Sequence, residues 1–248
     1  MKKIIWIDVG THFAQEYRSI FNNNFKFFSF ILKRFVGGKL LRRGKFVSLN
    51  ELRKILQNRA SIRKRKDDFF SIFIEANPKI AYKENFYPEA NMFFNLALTS
   101  NNKPDVSITK LFLGDGDELS QGSSIFIEKH NVNKESYLPT FGVSAKYFFS
   151  ELESYLTEKF NDYDILLRLN CEGMEDDVIY SVHENFGNKL KLVCGSLKDV
   201  EGVKGKESFL ALEDYMIKNN LPFTKFYSGI YSWLEGHYSV LELINKAK

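Results

Sequence analysis

Three apolar runs of this sequence end in side chains that could bind a ligand or move a proton. The first run leads into Asp8 and Gly10, the second into Glu75, and the third into Asn170 and Glu172. Ligands of open α/β sheets bind at the carboxyl ends of parallel strands. If the three runs are such strands, we expect these five residues to lie together at one edge of the sheet.

The residue types at the first two strand ends are typical of a site for a nucleoside cofactor. A glycine lets the backbone approach a ligand closely, and an acid can accept both hydroxyl hydrogens of a ribose. We assign Glu75 as the ribose acceptor, because a carboxylate that ends a buried strand needs a partner. The alternatives are that Glu75 caps the next helix, and that Asp8 and Gly10 only shape a strand-to-helix turn.

The elements that must position these groups alternate between strands and helices. The predicted strands lie at residues 4–10, 69–74, 91–98, 106–112, 164–169 and 190–194. The predicted helices lie at residues 13–21, 49–62, 144–160, 174–186, 206–219 and 240–247, and a closing antiparallel hairpin is predicted at 222–231. Such alternation predicts an α/β fold with a doubly wound, mostly parallel sheet.

The amino-acid sequence at the strand ends resembles that of the FkbM-type methyltransferases. The segments 7–15, 73–78 and 167–175 are similar, in family order, to three motifs of these S-adenosylmethionine-dependent enzymes. Residues 95–98 and 122–124 resemble the third strand and the serine-rich loop of the family. The resemblance covers nearly the whole chain. It implies a class I, Rossmann-like methyltransferase fold and methyl transfer to an oxygen, such as a hydroxyl of a sugar or glycoconjugate.

The resemblance also implies roles for individual residues. It places S-adenosylmethionine against Asp8, Gly10, Thr11, His12, Gln15, Glu75, Asn77 and Asn95. The third motif supplies the candidate catalytic residues Asn170 and Glu172, of which Glu172 would orient or deprotonate the acceptor hydroxyl. The alternative for Glu172 is an acid that stabilises a helix N-terminus.

The chain departs from the family pattern in its first and third motifs. Thr11 and His12 stand where Ala-Asn is usual, Ala14 stands where the family has its second glycine, and Asn170 replaces an aspartate. These substitutions leave a second hypothesis open. It is a catalytically lapsed methyltransferase-fold protein that serves in binding or assembly.

A basic segment separates the first two motifs. Glu75 follows Gly10 by 65 positions, whereas about 20 are usual for such a unit. We interpret residues 24–67, with fourteen Lys or Arg against two acids, as a helical insertion between the first helix and the second strand. The chain is then a single domain, residues 1–248.

The basic segment has three interpretations. Its helix would pack Leu52, Ile55 and Leu56 on the body and leave a basic face free, including Arg59. That face would be a solvated surface, a surface for an anionic or lipid-linked acceptor with a peripheral membrane contact, or a nucleic-acid surface. We do not expect nucleic acid, because the chain carries no reader motif and its remainder is acidic.

The composition excludes several classes of protein. A hydrophobic fraction of 44% with 27% charged residues indicates a globular chain. Cys171 and Cys194 give no disulfide framework, and the four histidines have no metal-ligand spacing. No uncharged apolar run reaches the roughly 18 residues that a membrane span requires, and the N-terminal run is too short for a signal peptide. We therefore expect a cytoplasmic protein without a bound metal.

Overall fold

The computed structural model describes residues 2–22, 25, 27–28, 49–115, 118–221 and 223–225. The strands are β1 (Lys3–Val9), β2 (Phe69–Ile74), β3 (Met92–Phe94), β4 (Ala97–Thr99), β5 (Val106–Gly114), β6 (Val132–Ser144), β7 (Tyr163–Leu169), β8 (Leu190–Gly195) and β9 (Phe223–Lys225). The helices are α1 (Gln15–Phe21), α2 (Leu49–Arg63), α3 (Pro78–Lys83), α4 (Ala145–Lys159), α5 (Glu175–Phe186), α6 (Lys198–Lys204) and α7 (Lys206–Lys218). Short 3-10 turns lie at Lys66–Asp68 and Gly187–Lys189.

The central sheet has six strands in the order β3-β2-β1-β7-β8-β9, and each neighbouring pair is parallel. Side chains alternate across β1, so Ile5 and Ile7 join the core on one face while Trp6 packs with Tyr17 of α1 on the other. A buried parallel sheet with helices packed against it is the predicted α/β fold. The strand order places the ends of β2, β1 and β7 side by side.

A second sheet, in the order β4-β6-β5, lies beyond β3 in the chain. The prediction of one strand over residues 91–98 was wrong, because β3 and β4 belong to different sheets. The reason lies between them. The Glu75 N–H donates to the Phe94 carbonyl, and Asn95 Nδ2 donates back to the Glu75 carbonyl at 2.7 Å. Where the pairing of β3 with β2 ends, the Asn95 side chain thus bonds to the backbone that follows β2.

The last described strand of the central sheet is the first strand of the predicted hairpin at 222–231. β9 runs parallel to β8, with Val193 opposite Phe223. The rest of the predicted hairpin and the predicted helix at 240–247 fall on residues outside the described part of the chain. Within the part of the chain that the structure describes, no helix is both long and apolar enough to cross a membrane.

α2 confirms a helix in the later part of the basic segment. Apart from three phenylalanines, residues 24–48 lie outside the described residues, as do the side chains of Leu52 and Ile55. Ile62 is fully buried in the core beside α1, and Leu56 is half-buried. Arg59 does not lie on a free face. It is 6% exposed, donates to the Ser19 carbonyl at 2.7 Å, and stacks on Phe27 at 4.3 Å.

Candidate functional site

Two adjoining cavities lie at the carboxyl ends of β1, β2 and β7. The first, which we call the apolar cavity, encloses about 640 Å³ including its open mouth. Its apolar walls come from Ile74, Ile80, Leu96, Leu98, Leu111, Ile125 and Met174. Glu75 and Asn77 also line it.

The second cavity, which we call the polar cavity, encloses about 540 Å³ and is lined by Thr11, Gln15, Glu16, Gln121 and Arg168. Four residues line both cavities and form what we call the shared wall: His12, Gly122, Asn170 and Glu172. The wall combines the predicted catalytic residues with part of the predicted cofactor turn. A ligand that fills both cavities would therefore pass these four residues.

Gly10 brings the ends of β1 and β7 together. Its φ is +69°, and a Cβ at this position would collide with the Asn170 carbonyl. The Asn170 N–H in turn donates to the Val9 carbonyl at 3.0 Å. This close approach of two backbones requires glycine, and it positions Asn170 beside the turn that follows β1.

Glu75 is buried at the base of the apolar cavity and connects two turns. Its carboxylate accepts hydrogen bonds from the backbone N–H groups of His12 and Asn77, each at 2.8 Å. Burial raises the pKa of the Glu75 carboxyl to about 7, although both hydrogen bonds oppose that shift. A carboxylate has about four lone-pair positions, so Glu75 retains acceptor capacity toward a ligand.

Asn77 and Asn95 support the cavity rather than offering free groups to it. Asn77 caps α3 by accepting from the Lys79 N–H at 3.0 Å, and its amide donates to the Leu119 carbonyl at 2.8 Å. The helix cap is therefore Asn77 and not Glu75. Asn95 is exposed and lines neither of the two cavities.

Asp8 does not reach either cavity. It is fully buried under α1, where its Oδ1 accepts from Arg168 at 3.1 Å. Burial raises the pKa of the Asp8 carboxyl to about 6, while Arg168 opposes the shift. Since Val9 lines the apolar cavity, alternation along β1 turns Asp8 to the opposite face.

Arg168 lies opposite Asp8 in the β1–β7 register and lines the polar cavity. It donates to the Gly10 carbonyl at 2.6 Å and to Glu16 at 3.3 Å. Sequence reasoning did not select Arg168 as a site residue. The available signal was a lone basic residue within the apolar run that forms β7.

The turn between β1 and α1 holds the other predicted cofactor residues. Thr11 is buried and its hydroxyl donates to the Asp8 carbonyl at 2.8 Å, so it holds the turn. His12 has a left-handed backbone with φ 54° and lines both cavities. Gln15 lines the polar cavity. Ala14 is fully buried and keeps a left-handed φ of 47°, a conformation that glycine adopts without strain.

Glu172 is the acidic member of the shared wall. Its carboxylate forms an ion pair with Lys129 and lies 3.5 Å from the Asn170 amide nitrogen. Burial raises the pKa of the Glu172 carboxyl, and Lys129 opposes this shift. Ser124 donates to the Glu172 carbonyl at 2.8 Å, which fixes the loop carrying Gly122 against the strand end.

Glu175, the first residue of α5, orders the turn that precedes the helix. Its carboxylate accepts from the backbone N–H groups of Cys171 and Gly173, both at 2.9 Å. Glu175 is fully buried and lines neither of the two cavities. The acids in the first turn of α5 are Glu175, Asp176 and Asp177, whereas Glu172 precedes the helix.

Lys129 is a site residue for which the sequence carries no signal. It lies in a polar loop, yet only 3% of it is exposed, and its amine contacts Glu172 and the Gly122 carbonyl. Among the described residues, no three His, Cys, Asp or Glu side chains are grouped so that they could hold a metal ion.

Fold and site together define an α/β protein with two adjoining cavities at the carboxyl edge of a parallel sheet. Neither a protein-family model nor a curated protein matches the chain. The likeness to FkbM-type methyltransferases therefore stands on the motifs of the sequence. The cofactor and the reaction are proposals.

Proposed function

We propose that the protein is an S-adenosylmethionine-dependent methyltransferase that methylates an oxygen, with a hydroxyl of a sugar or glycoconjugate as the acceptor. The observation that carries the proposal is the pair of cavities that meet at the shared wall of His12, Gly122, Asn170 and Glu172. Methyl transfer needs two ligands held end to end, and this arrangement provides one chamber for each.

The residues present fit the cofactor. The apolar cavity offers aliphatic side chains that would pack against a flat ring. At its base, the Glu75 carboxylate would accept hydrogen bonds from the ribose hydroxyls. His12 and Asn170 would line the end of the cofactor nearest the polar cavity.

When bound, S-adenosylmethionine supplies a methyl group on a positively charged sulfur. The work of the protein is then alignment, because holding two reactants in line removes most of the entropic cost of their encounter. Gln15, Gln121 and Arg168 line the polar cavity and would hold the polar groups of the acceptor. The acceptor hydroxyl would lie against the shared wall.

Glu172 would orient the acceptor hydroxyl and accept its proton. The proton can leave after the oxygen–carbon bond begins to form, so a weak base suffices. The carboxylate is held by Lys129, and the Ser124 hydroxyl donates to the backbone carbonyl of Glu172, so both the side chain and the backbone of Glu172 are restrained.

A specific observation favours a second candidate, a lapsed methyltransferase fold that binds without turnover. The acids of the motifs already have partners within the protein: Asp8 with Arg168, Glu75 with two backbone N–H groups, and Glu172 with Lys129. Such pairing stabilises a turn as well as it prepares a catalyst. Cofactor affinity with or without turnover separates the two candidates.

Isothermal titration calorimetry with S-adenosylmethionine and S-adenosylhomocysteine tests the cofactor. We expect micromolar binding of both ligands. An assay for released S-adenosylhomocysteine, run over neutral, anionic and lipid-linked glycans, then tests for turnover. Binding together with acceptor-dependent release supports the enzyme, and binding without release from any acceptor supports the lapsed fold. A folded protein that binds neither ligand refutes both.

A further inference from the structure

The charge of the shared wall is set by a residue that lines neither of the two cavities. Lys129 lies behind Glu172, almost fully buried, and its amine is held by the Glu172 carboxylate and by the Gly122 carbonyl at 3.1 Å. Both of these partners belong to the shared wall. The ion pair therefore forms part of the wall's structure and not a surface contact.

Other charges near Glu172 act in opposite directions. Arg168, from β7, lowers the pKa of its carboxyl and Asp199, from α6, raises it. The carboxylate in the wall is thus compensated chiefly by the ammonium group behind it. With Lys129 in place, the pair presents little net charge to either cavity.

This compensation matters if the proposed function holds. S-adenosylmethionine carries a sulfonium cation, whereas its product S-adenosylhomocysteine has a neutral thioether at the same position. A carboxylate near that position favours the cation and an ammonium group disfavours it. The net charge of the wall therefore determines how strongly the site prefers substrate over product.

We propose that Lys129 is a specificity-determining residue that neutralises Glu172 and so limits the preference of the site for the sulfonium over the thioether. The sulfonium charge disperses as the methyl group leaves. A bare carboxylate would stabilise the charged ground state more than the transition state and would slow the reaction. The ion pair keeps an oriented carboxylate in the wall without that penalty.

The test measures the dissociation constants of both ligands by calorimetry at pH 8.5, because an alkaline pH favours the ionised form of the Glu172 carboxyl. The quantity compared is the constant for S-adenosylhomocysteine divided by that for S-adenosylmethionine. We expect this ratio to rise about tenfold or more in Lys129→Met and to fall in Glu172→Gln. The double variant has an uncharged wall, so its ratio should return to within about threefold of wild type.

A purely structural role for Lys129 gives a different pattern, because damage to the wall moves both ligands in the same direction. The proposal is overturned if the ratio is unchanged in both single variants, or if it shifts the same way in both. Lys129→Arg keeps the positive charge and should keep the wild-type ratio. If Lys129→Met does not fold, two variants still decide the matter. The double variant buries no unpaired charge, and Glu172→Gln leaves the Lys129 ammonium its hydrogen bond to the Gly122 carbonyl. A wild-type protein that binds neither ligand refutes the proposed function itself.

Discussion

Replacing Glu75 by glutamine should weaken cofactor binding and destabilise the protein, and the two effects can be separated. The Glu75 carboxylate accepts from two backbone N–H groups, at His12 and Asn77, each at 2.8 Å. A glutamine offers one oxygen, so one buried N–H faces an amide nitrogen. Leaving such a donor unpaired costs about 1–3 kcal/mol in the free energy of unfolding.

The effect on binding has a separate source. A hydrogen bond to a charged acceptor contributes about 1.5–3 kcal/mol, so the loss of the carboxylate toward the ribose should weaken S-adenosylhomocysteine binding by about tenfold to a hundredfold. Calorimetry measures the dissociation constant, and urea denaturation at the same pH measures the stability.

Glu175→Gln is the matched control. Glu175 is equally buried and also accepts from two backbone N–H groups, and burial likewise raises the pKa of its carboxyl to about 7. It lines neither of the two cavities. We expect a similar loss of stability with unchanged affinity. If Glu75→Gln binds as tightly as Glu175→Gln, the ribose assignment is refuted.

Three further predictions concern stability, turnover and acceptor recruitment. In the folded protein, burial raises the pKa of Glu75 and Glu175 from 4.5 to about 7, so the folded state holds more protons than the unfolded state in this range. In urea denaturation, the free energy of unfolding should therefore fall as the pH rises from 5 to 8, by at most about 3 kcal/mol for each carboxyl. Glu75→Gln and Glu175→Gln should each make this fall smaller. A free energy of unfolding that rises over this range would contradict the burial argument. Glu172→Gln should lower turnover by about a hundredfold or more while S-adenosylhomocysteine affinity changes less than about threefold, and equal losses would make Glu172 structural. Charge reversal at the exposed Lys64 and Lys66 should reduce methylation of an anionic acceptor without changing cofactor affinity, and added salt should have the same effect. If the double variant keeps wild-type activity at low salt, the basic segment is a solvated surface.

The fold was predictable because its signals are local. Continuous apolar runs form β1, β2, β7 and β8, and the helices between them follow from amphipathic spacing. The break between β3 and β4 was not predictable in the same way. It depends on Asn95 bonding to Glu75, twenty positions earlier in the chain. The burial of Arg59 likewise depends on partners that only the tertiary structure brings near.

The candidate site was predictable to the extent that it follows from strand ends. Gly10, Glu75, Asn170 and Glu172 meet because parallel strands place their carboxyl ends at one edge. Asp8 lies outside both cavities, a placement that the alternation of side chains along β1 indicates. Lys129 could not be found, because nothing in a polar loop indicates which lysine becomes buried.

The most direct test of the central claim is a crystal structure of the protein with S-adenosylhomocysteine. We expect adenosine in the apolar cavity, the ribose hydroxyls at the Glu75 carboxylate, and the sulfur at the shared wall beside Asn170 and Glu172. The polar cavity should then be left for the acceptor. A ligand bound elsewhere, or one with its ribose away from Glu75, would contradict the account.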